Sequence, residues 1–323
     1  MTPQENRISV IDPIGLAIET VKVILFKPFD MGKWFVIGFC AWLAYLGSGG
    51  GPSFNPGMGG RQRGQQDFYQ VKEYFLNNLS WIIPVAVLII ILSIIIGLVL
   101  LWLRSRGRFM FLHCVAQNKA EVVNPWHKYK EQGNSLFLFR FVLGIISFVV
   151  FMLIFGMAAL LFIMFGRGAA PFPAILFAII FIILIAFPVG IFFGVISKFT
   201  KDFVVPIMYL HGFSCVDSWR EFLRLASANR GRLALYILFQ IVIAMAIGSI
   251  IFAAICVTCC CAACIFAIPY IGTVAMLPVF VFKRAYSLCY LRQYGEEYDV
   301  FRPEQSPQEP TQPQIQPGGD IEI

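Results

Sequence analysis

The chain has 323 residues, of which 59% are hydrophobic and 13% charged, against roughly 45–50% apolar and about 25% charged residues in soluble domains. This composition excludes an ordinary water-soluble fold, and several apolar runs exceed the roughly 18 residues that mark a membrane-spanning helix. The net charge of +7 requires no nucleic-acid partner, because basic residues beside a bilayer contact anionic lipid headgroups.

The first predicted element is an amphipathic helix at residues 13–27. Asp12 is a candidate N-cap, Pro13 stands at the first helical position, and apolar residues recur at helical spacing. We expect this helix to lie in the cytoplasmic interface of the membrane.

Six apolar runs follow and predict an all-α, polytopic membrane protein. They are residues 31–46, 81–103, 136–165, 174–197, 233–255 and 265–282. The first run is short, because 16 residues at ~1.5 Å each reach about 24 Å, less than the ~30 Å hydrocarbon core. Residues 303–323 are rich in Pro and Gln and predict a disordered tail.

The distribution of basic residues predicts the orientation. Twenty of the 25 Lys and Arg residues lie before the first run, between runs two and three, between runs four and five, or after the last run, and four lie in the other connections. Since cytoplasmic loops carry the excess of positive charge, we expect both termini in the cytoplasm and the protein in a bacterial inner membrane.

A weak internal repeat accompanies these runs. Trp34, Trp126 and Trp219 are spaced 92 and 93 residues apart, and each follows a candidate N-cap. The pattern suggests three parallel two-helix repeats, and chance agreement among aromatic-rich membrane segments is the alternative. The candidate N-caps are Asp30, Asn124 and Asp217.

Residues that could carry chemistry are scarce inside the runs. Gln240 is the main mid-membrane amide, and Arg140 can reach the inner interface by snorkelling. Runs four and six contain helix breaks that either line a cavity or are simple kinks. These breaks are at Pro188, Gly190, Pro269 and Pro278. No catalytic, cofactor or metal site is expected, since the three histidines match no metal motif.

Five cysteines cluster near the predicted outer turn after the fifth run. They form two C-x-x-C pairs separated by one residue, whereas zinc ribbons separate their pairs by a dozen or more. We favour apolar packing at a tight turn, with a disulfide and a metal or redox centre as the alternatives. The five are Cys256, Cys259, Cys260, Cys261 and Cys264.

Residues 217–222 (Asp-Ser-Trp-Arg-Glu-Phe) and 277–288 (Leu-Pro-Val-Phe-Val-Phe-Lys-Arg-Ala-Tyr-Ser-Leu) resemble a broad group of poorly characterised bacterial six-span membrane proteins. That group is similar to the membrane domain ahead of the catalytic domain in some bacterial glycerophosphoryl diester phosphodiesterases. The likeness covers most of residues 10–300 and implies a helical inner-membrane domain. It carries over no catalytic residues, since the chain ends after the membrane region.

Together these features favour a non-enzymatic scaffold that associates with the bilayer and its anionic headgroups, with a protein partner or a second copy of the chain as further candidates. The alternative is a transporter or channel for a small or amphipathic solute. Transport would need a water-accessible cavity near Pro188, Gln240 and Pro278, because a polar path requires polar lining or exposed backbone.

Overall fold

A computed structural model describes residues 8–46, 79–166, 171–258 and 268–302. All regular structure within these ranges is helical, as the composition predicts. The α-helices are α1 (Asp12–Phe26), α2 (Met31–Tyr45), α3 (Leu79–Gln117), α4 (Val123–Lys128), α5 (Lys130–Gly166), α6 (Pro171–Phe199), α7 (Val205–His211), α8 (Cys215–Ala228), α9 (Arg230–Val257), α10 (Pro269–Ala275) and α11 (Leu277–Arg292). A π-helical turn, Thr200–Val204, joins α6 to α7, and a 3-10 turn, Glu296–Tyr298, follows α11.

Within the described ranges, four helical segments are long and apolar enough to cross a membrane. They are Ser80–Gln117, Lys130–Met164, Ile179–His211 and Arg230–Val257. Large apolar side chains on them face outward; Leu153, for example, is 69% exposed and Leu184 is 71% exposed. So extensive an apolar surface fits contact with lipid rather than water. The second to fifth predicted runs fall within α3, α5, α6 and α9, respectively.

One end of these four helices is packed into what we call the basal layer. It comprises residues 104–117, 130–140, 198–211 and 230–240 with α1, α2, α8 and α11, and it holds nearly all of the buried apolar cluster. Helix α11 ties its parts together. The Tyr286 hydroxyl donates to the carbonyl oxygen of Val10 at 2.9 Å, and the Tyr290 hydroxyl donates to that of Arg232 at 3.1 Å.

Helix α2 packs antiparallel to the C-terminal half of α3. The Cys40 and Cys114 sulfurs are 3.7 Å apart, and a Cβ built on Gly107 would lie 2.8 Å from the Leu43 carbonyl carbon. Glycine at this position lets the two backbones approach closely. The first predicted run therefore packs against the basic part of α3, which follows the second run.

The last predicted run, 265–282, is not one continuous helix. Residues 265–267 lie outside the described ranges, and the remainder divides into α10 and α11 at Met276. Pro269 and Pro278 stand in the first turns of these two helices, where a missing N–H costs least. Helix α11 then continues to Arg292 as a buried core helix.

The predicted caps are only partly correct. Asp30 does cap α2, since its Oδ1 accepts a hydrogen bond from the Gly32 N–H at 2.8 Å. Asn124 lies inside α4, whose N-cap position is held by Val122. Of the three helices, only α2 has the expected N-cap residue. The internal repeat therefore remains a prediction.

Two aspartates predicted as caps lie instead within the helices that they were expected to precede. Asp217 stands in the first turn of α8, and Ser214 is the cap, its Oγ accepting from the Asp217 N–H at 3.3 Å. Asp12 is the first residue of α1, and the Ser9 Oγ accepts from its N–H at 3.3 Å. In both places a serine three residues before the aspartate accepts from a free N–H group of the helix start.

Candidate functional site

A cavity of about 190 Å³ opens in the basal layer where α2, α3, α11 and the π-helical turn meet. Five cationic side chains and one carboxylate line it, and Ala44, Tyr45 and Phe111 complete the wall. The charged residues are Arg108, Lys198, Lys201, Asp202, Lys283 and Arg284. We call this the basic cavity.

The π-helical turn brings two of these charged residues into the basal layer. It includes Lys201 and Asp202, and π-helical turns frequently mark functional sites. The Lys201 carbonyl oxygen accepts a hydrogen bond from Arg284 Nη1 at 2.6 Å. This contact holds one edge of the Arg284 guanidinium against the turn.

Asp202 is already paired within the protein. Its Oδ2 lies 2.7 Å from Lys198 Nζ and accepts from the Tyr236 hydroxyl at 3.0 Å. Gln240 Nε2 donates to that hydroxyl at 3.0 Å, and Gln240 Oε1 accepts from Lys198 Nζ at 3.2 Å. The four side chains form a closed ring between α6, the π-helical turn and α9, so the charge of Asp202 is balanced chiefly by Lys198.

Two arginines of the basic cavity keep donors unused. Arg108 and Arg284 are 7% and 8% exposed, and Nη1 of Arg108 and Nε and Nη2 of Arg284 have no hydrogen-bond partner among the described residues. Burial lowers the pKa of Arg284; burial and the neighbouring Lys198 charge lower the pKa of Lys283. Buried cations with free donors are costly, so the cavity is suited to an anion.

Further arginines extend the positive charge around the basic cavity. Arg104 and Arg140 lie close enough to Arg108 to repel its charge, and Nε of Arg104 and Nη1 of Arg140 lack partners within the described part of the chain. Arg106 instead packs its guanidinium over the rings of Trp102 and Trp126, at 4.5 and 5.0 Å from their centres.

The helix breaks predicted from sequence do not gather at this cavity. Pro188 lies inside α6 without ending it, and a Cβ on Gly190 would be 3.9 Å from the Phe151 ring of α5. Pro269 and Pro278 begin helices, and none of these four residues lines the basic cavity. Gln240 is connected to it through Lys198.

One residue of the predicted cysteine cluster, Cys256, lies within the described ranges. Cys256 is exposed near the end of α9. Cys259, Cys260, Cys261 and Cys264 lie outside the described residues, as does the predicted tail at residues 303–323.

Two of the three histidines, His113 and His211, lie beside polar side chains in the basal layer. His113 Nδ1 lies 3.0 Å from the Tyr209 hydroxyl, and His211 Nδ1 lies 3.7 Å from a Glu221 carboxylate oxygen. Within the described ranges, no group of three or more His, Cys, Asp or Glu side chains is placed to hold a metal ion.

Four long apolar helices rising from a basic, tightly packed layer define a helical membrane protein. The chain belongs to a family of unknown function, DUF7544, whose model matches residues 8–277. No curated protein and no solved structure matches it. Lys283 and Arg284 of the basic cavity lie beyond the matched residues.

Proposed function

We propose that this protein is a non-enzymatic membrane scaffold that associates with anionic lipids through its basal layer, at the cytoplasmic face of a bacterial inner membrane. The observation that supports it best is the charge of that layer beside the exposed apolar helices. The basic cavity alone contains five cations and one carboxylate. Basic pockets between membrane helices on the cytoplasmic side are suited to acidic headgroups.

We propose six membrane crossings with both termini on one side, as the distribution of basic residues predicts. Helices α1, α2 and α11 belong to the basal layer, whereas α3 begins 25 residues before Arg104, about 37 Å away along a helix. Within the described residues, the segments that contain α3, α5, α6 and α9 are each long and apolar enough to provide one crossing. An even number of passages leaves the two termini together.

Helix α1 supports an interfacial position. Its Ala17 and Leu25 are buried in the basal layer, while Leu16, Val23 and Phe26 on its other side are 41–50% exposed. A helix with one apolar side packed on the protein and further apolar groups outside can insert the latter at the headgroup boundary.

The resemblance to membrane domains that precede some phosphodiesterases agrees with this proposal in one respect only. The resemblance is limited to the membrane-embedded helices. We propose that this chain acts as a membrane domain and does not hydrolyse phosphodiesters. Binding of a protein partner by the same scaffold is compatible with it.

Thermal unfolding in nanodiscs tests the proposal. We expect the protein to melt several degrees higher in discs that contain phosphatidylglycerol than in discs of phosphatidylcholine alone, and added salt should reduce the difference. Arg140→Gln should diminish it, while Arg302→Gln, outside the basal layer at a side chain that is 59% exposed and paired with Glu296, should leave it unchanged. Equal melting temperatures in the two lipids at low salt would refute lipid association.

A further inference from the structure

The basic cavity has more positive charge than its own walls balance. Asp202 is engaged by Lys198 and Tyr236, which leaves Arg108, Lys201 and Arg284, with Lys283, facing a common space. We infer that this cavity binds one phosphate group, carried by a lipid headgroup or by a soluble phosphate. The inference deepens the proposed function and rests on it for the lipid source, while the side-chain chemistry applies to both sources.

The arrangement of donors favours phosphate over a planar carboxylate. The cations come from three directions, since Arg108 belongs to α3, Lys201 to the π-helical turn, and Lys283 and Arg284 to α11. A tetrahedral phosphate presents oxygens to several sides at once, and arginine binds it with two parallel hydrogen bonds. Within the described ranges, Arg284 retains two unpartnered donor atoms, Nε and Nη2, for such a contact.

The size of the cavity limits what the phosphate can be attached to. Its volume of about 190 Å³ is roughly six times the ~30 Å³ that a water molecule occupies in the liquid, and it is below the ~300–1,000 Å³ of pockets for drug-sized ligands. The space suits a phosphate with a few attached atoms. The rest of a lipid would extend outward past Lys198, whose side chain is 40% exposed.

The test uses the full chain in a neutral detergent and follows thermal stability at constant ionic strength. The probes are inorganic phosphate, a short-chain phosphatidic acid and, as the neutral control, a short-chain phosphatidylcholine. We expect phosphate-bearing anionic probes to stabilise the protein and Arg284→Gln to weaken their apparent affinity by about tenfold, the loss of one charge-assisted contact. Arg292→Gln, on the same helix with a half-exposed side chain, should leave the affinity unchanged.

A second variant guards against misfolding of the first. Lys283→Gln changes a cavity cation that has no backbone contact comparable to that of Arg284 among the described residues, and we expect it to weaken binding in the same direction. Stabilisation by phosphatidic acid alone assigns the site to a lipid headgroup. Stabilisation by inorganic phosphate alone supports a phosphate site but shows that the phosphate does not come from a lipid. In that case the cavity no longer supports the proposed lipid association.

The opposite results are equally distinct. If neither anionic probe stabilises the protein, or if Arg284→Gln, Lys283→Gln and Arg292→Gln respond alike, the cavity is not a phosphate site. Preserved stabilisation by phosphatidylglycerol nanodiscs in that case would leave the proposed lipid association standing without this cavity.

Discussion

At the scale of single residues, Asp202 governs the charge of the basic cavity. It is 12% exposed and is the one carboxylate among the described residues that line the cavity. Its ring with Lys198, Tyr236 and Gln240 fixes the end of α6 against α9. The carboxylate thus offsets part of the repulsion among the cations, and the remainder is left for a bound anion.

Asp202→Asn separates these two effects. We expect the variant to lose about 2 kcal/mol of stability without ligand, less than the ~3–5 kcal/mol for breaking a fully buried pair, because Lys198 is partly exposed and screened by solvent. The same change removes a negative charge from the cavity and should increase stabilisation by phosphate. Melting curves with and without phosphate measure both quantities.

Asp217→Asn is the matched control for this variant. Asp217 pairs with Arg220 on the surface, where the side chains are 54% and 80% exposed, so its replacement should change stability by less than ~1 kcal/mol. A phosphate response that decreases in Asp202→Asn would contradict the assignment of the cavity.

The sequence reveals the cations of this site but not their arrangement. Lys198, Lys201, Lys283 and Arg284 are evident as positive charges that follow apolar runs, which is a signal of orientation. The spacing of Lys198 and Asp202 by four residues indicates a helical pair. Nothing local indicates that Tyr236 joins them, because that contact depends on how two distant helices pack.

At the scale of elements, α2 and α3 approach each other closely in the basal layer. A Cβ on Gly107 would meet the backbone of Leu43 and Ala44 at 2.8–2.9 Å, so one helix would have to move. The contact places the short apolar helix α2 beside the part of α3 that carries Arg104, Arg106 and Arg108.

Gly107→Ala should therefore destabilise the protein by about 1–3 kcal/mol, the usual cost of overpacking. Gly97→Ala in the same helix meets nothing within 4 Å and should be neutral or stabilising by up to ~1 kcal/mol, since alanine favours the helix. Thermal unfolding of both variants in one lipid mixture makes the comparison. Similar melting temperatures for the two would contradict the packing of α2 on α3.

The two sulfurs of Cys40 and Cys114 provide a chemical test of the same pair of helices. They are 3.7 Å apart and both residues are buried, so a small, membrane-permeant oxidant such as iodine should join them in a disulfide. Peptide mapping by mass spectrometry under non-reducing conditions should recover the linked pair. Cys114→Ser abolishes this product, and recovery of Cys40 linked to another cysteine instead would place α2 elsewhere.

Hydropathy locates the long helices well because lipid imposes both their length and their composition. Hydropathy predicts the last run less well. Two prolines there begin separate helices, and the second of these, α11, lies in the buried core. An apolar run that packs in protein and one that faces lipid have the same composition, and the difference arises only from tertiary contacts.

At the scale of the whole molecule, the basal layer collects the ends of four apolar helices, both described terminal segments and most of the buried charge. The far ends of α3 and α9 are exposed and apolar, with Trp81 78% and Val257 83% exposed. This polarity along the helix axes supports our proposal that the basic end faces the cytoplasm.

The most direct test is the sidedness of single cysteines in a variant without the nine native ones. Val123→Cys and Arg220→Cys mark exposed positions of the basal side, and Trp81→Cys and Val257→Cys mark the far ends of α3 and α9. With a membrane-impermeant maleimide, we expect the far positions to label in intact cells and the basal positions only after lysis. Labelling of Val123→Cys or Arg220→Cys in intact cells would contradict a cytoplasmic basal layer.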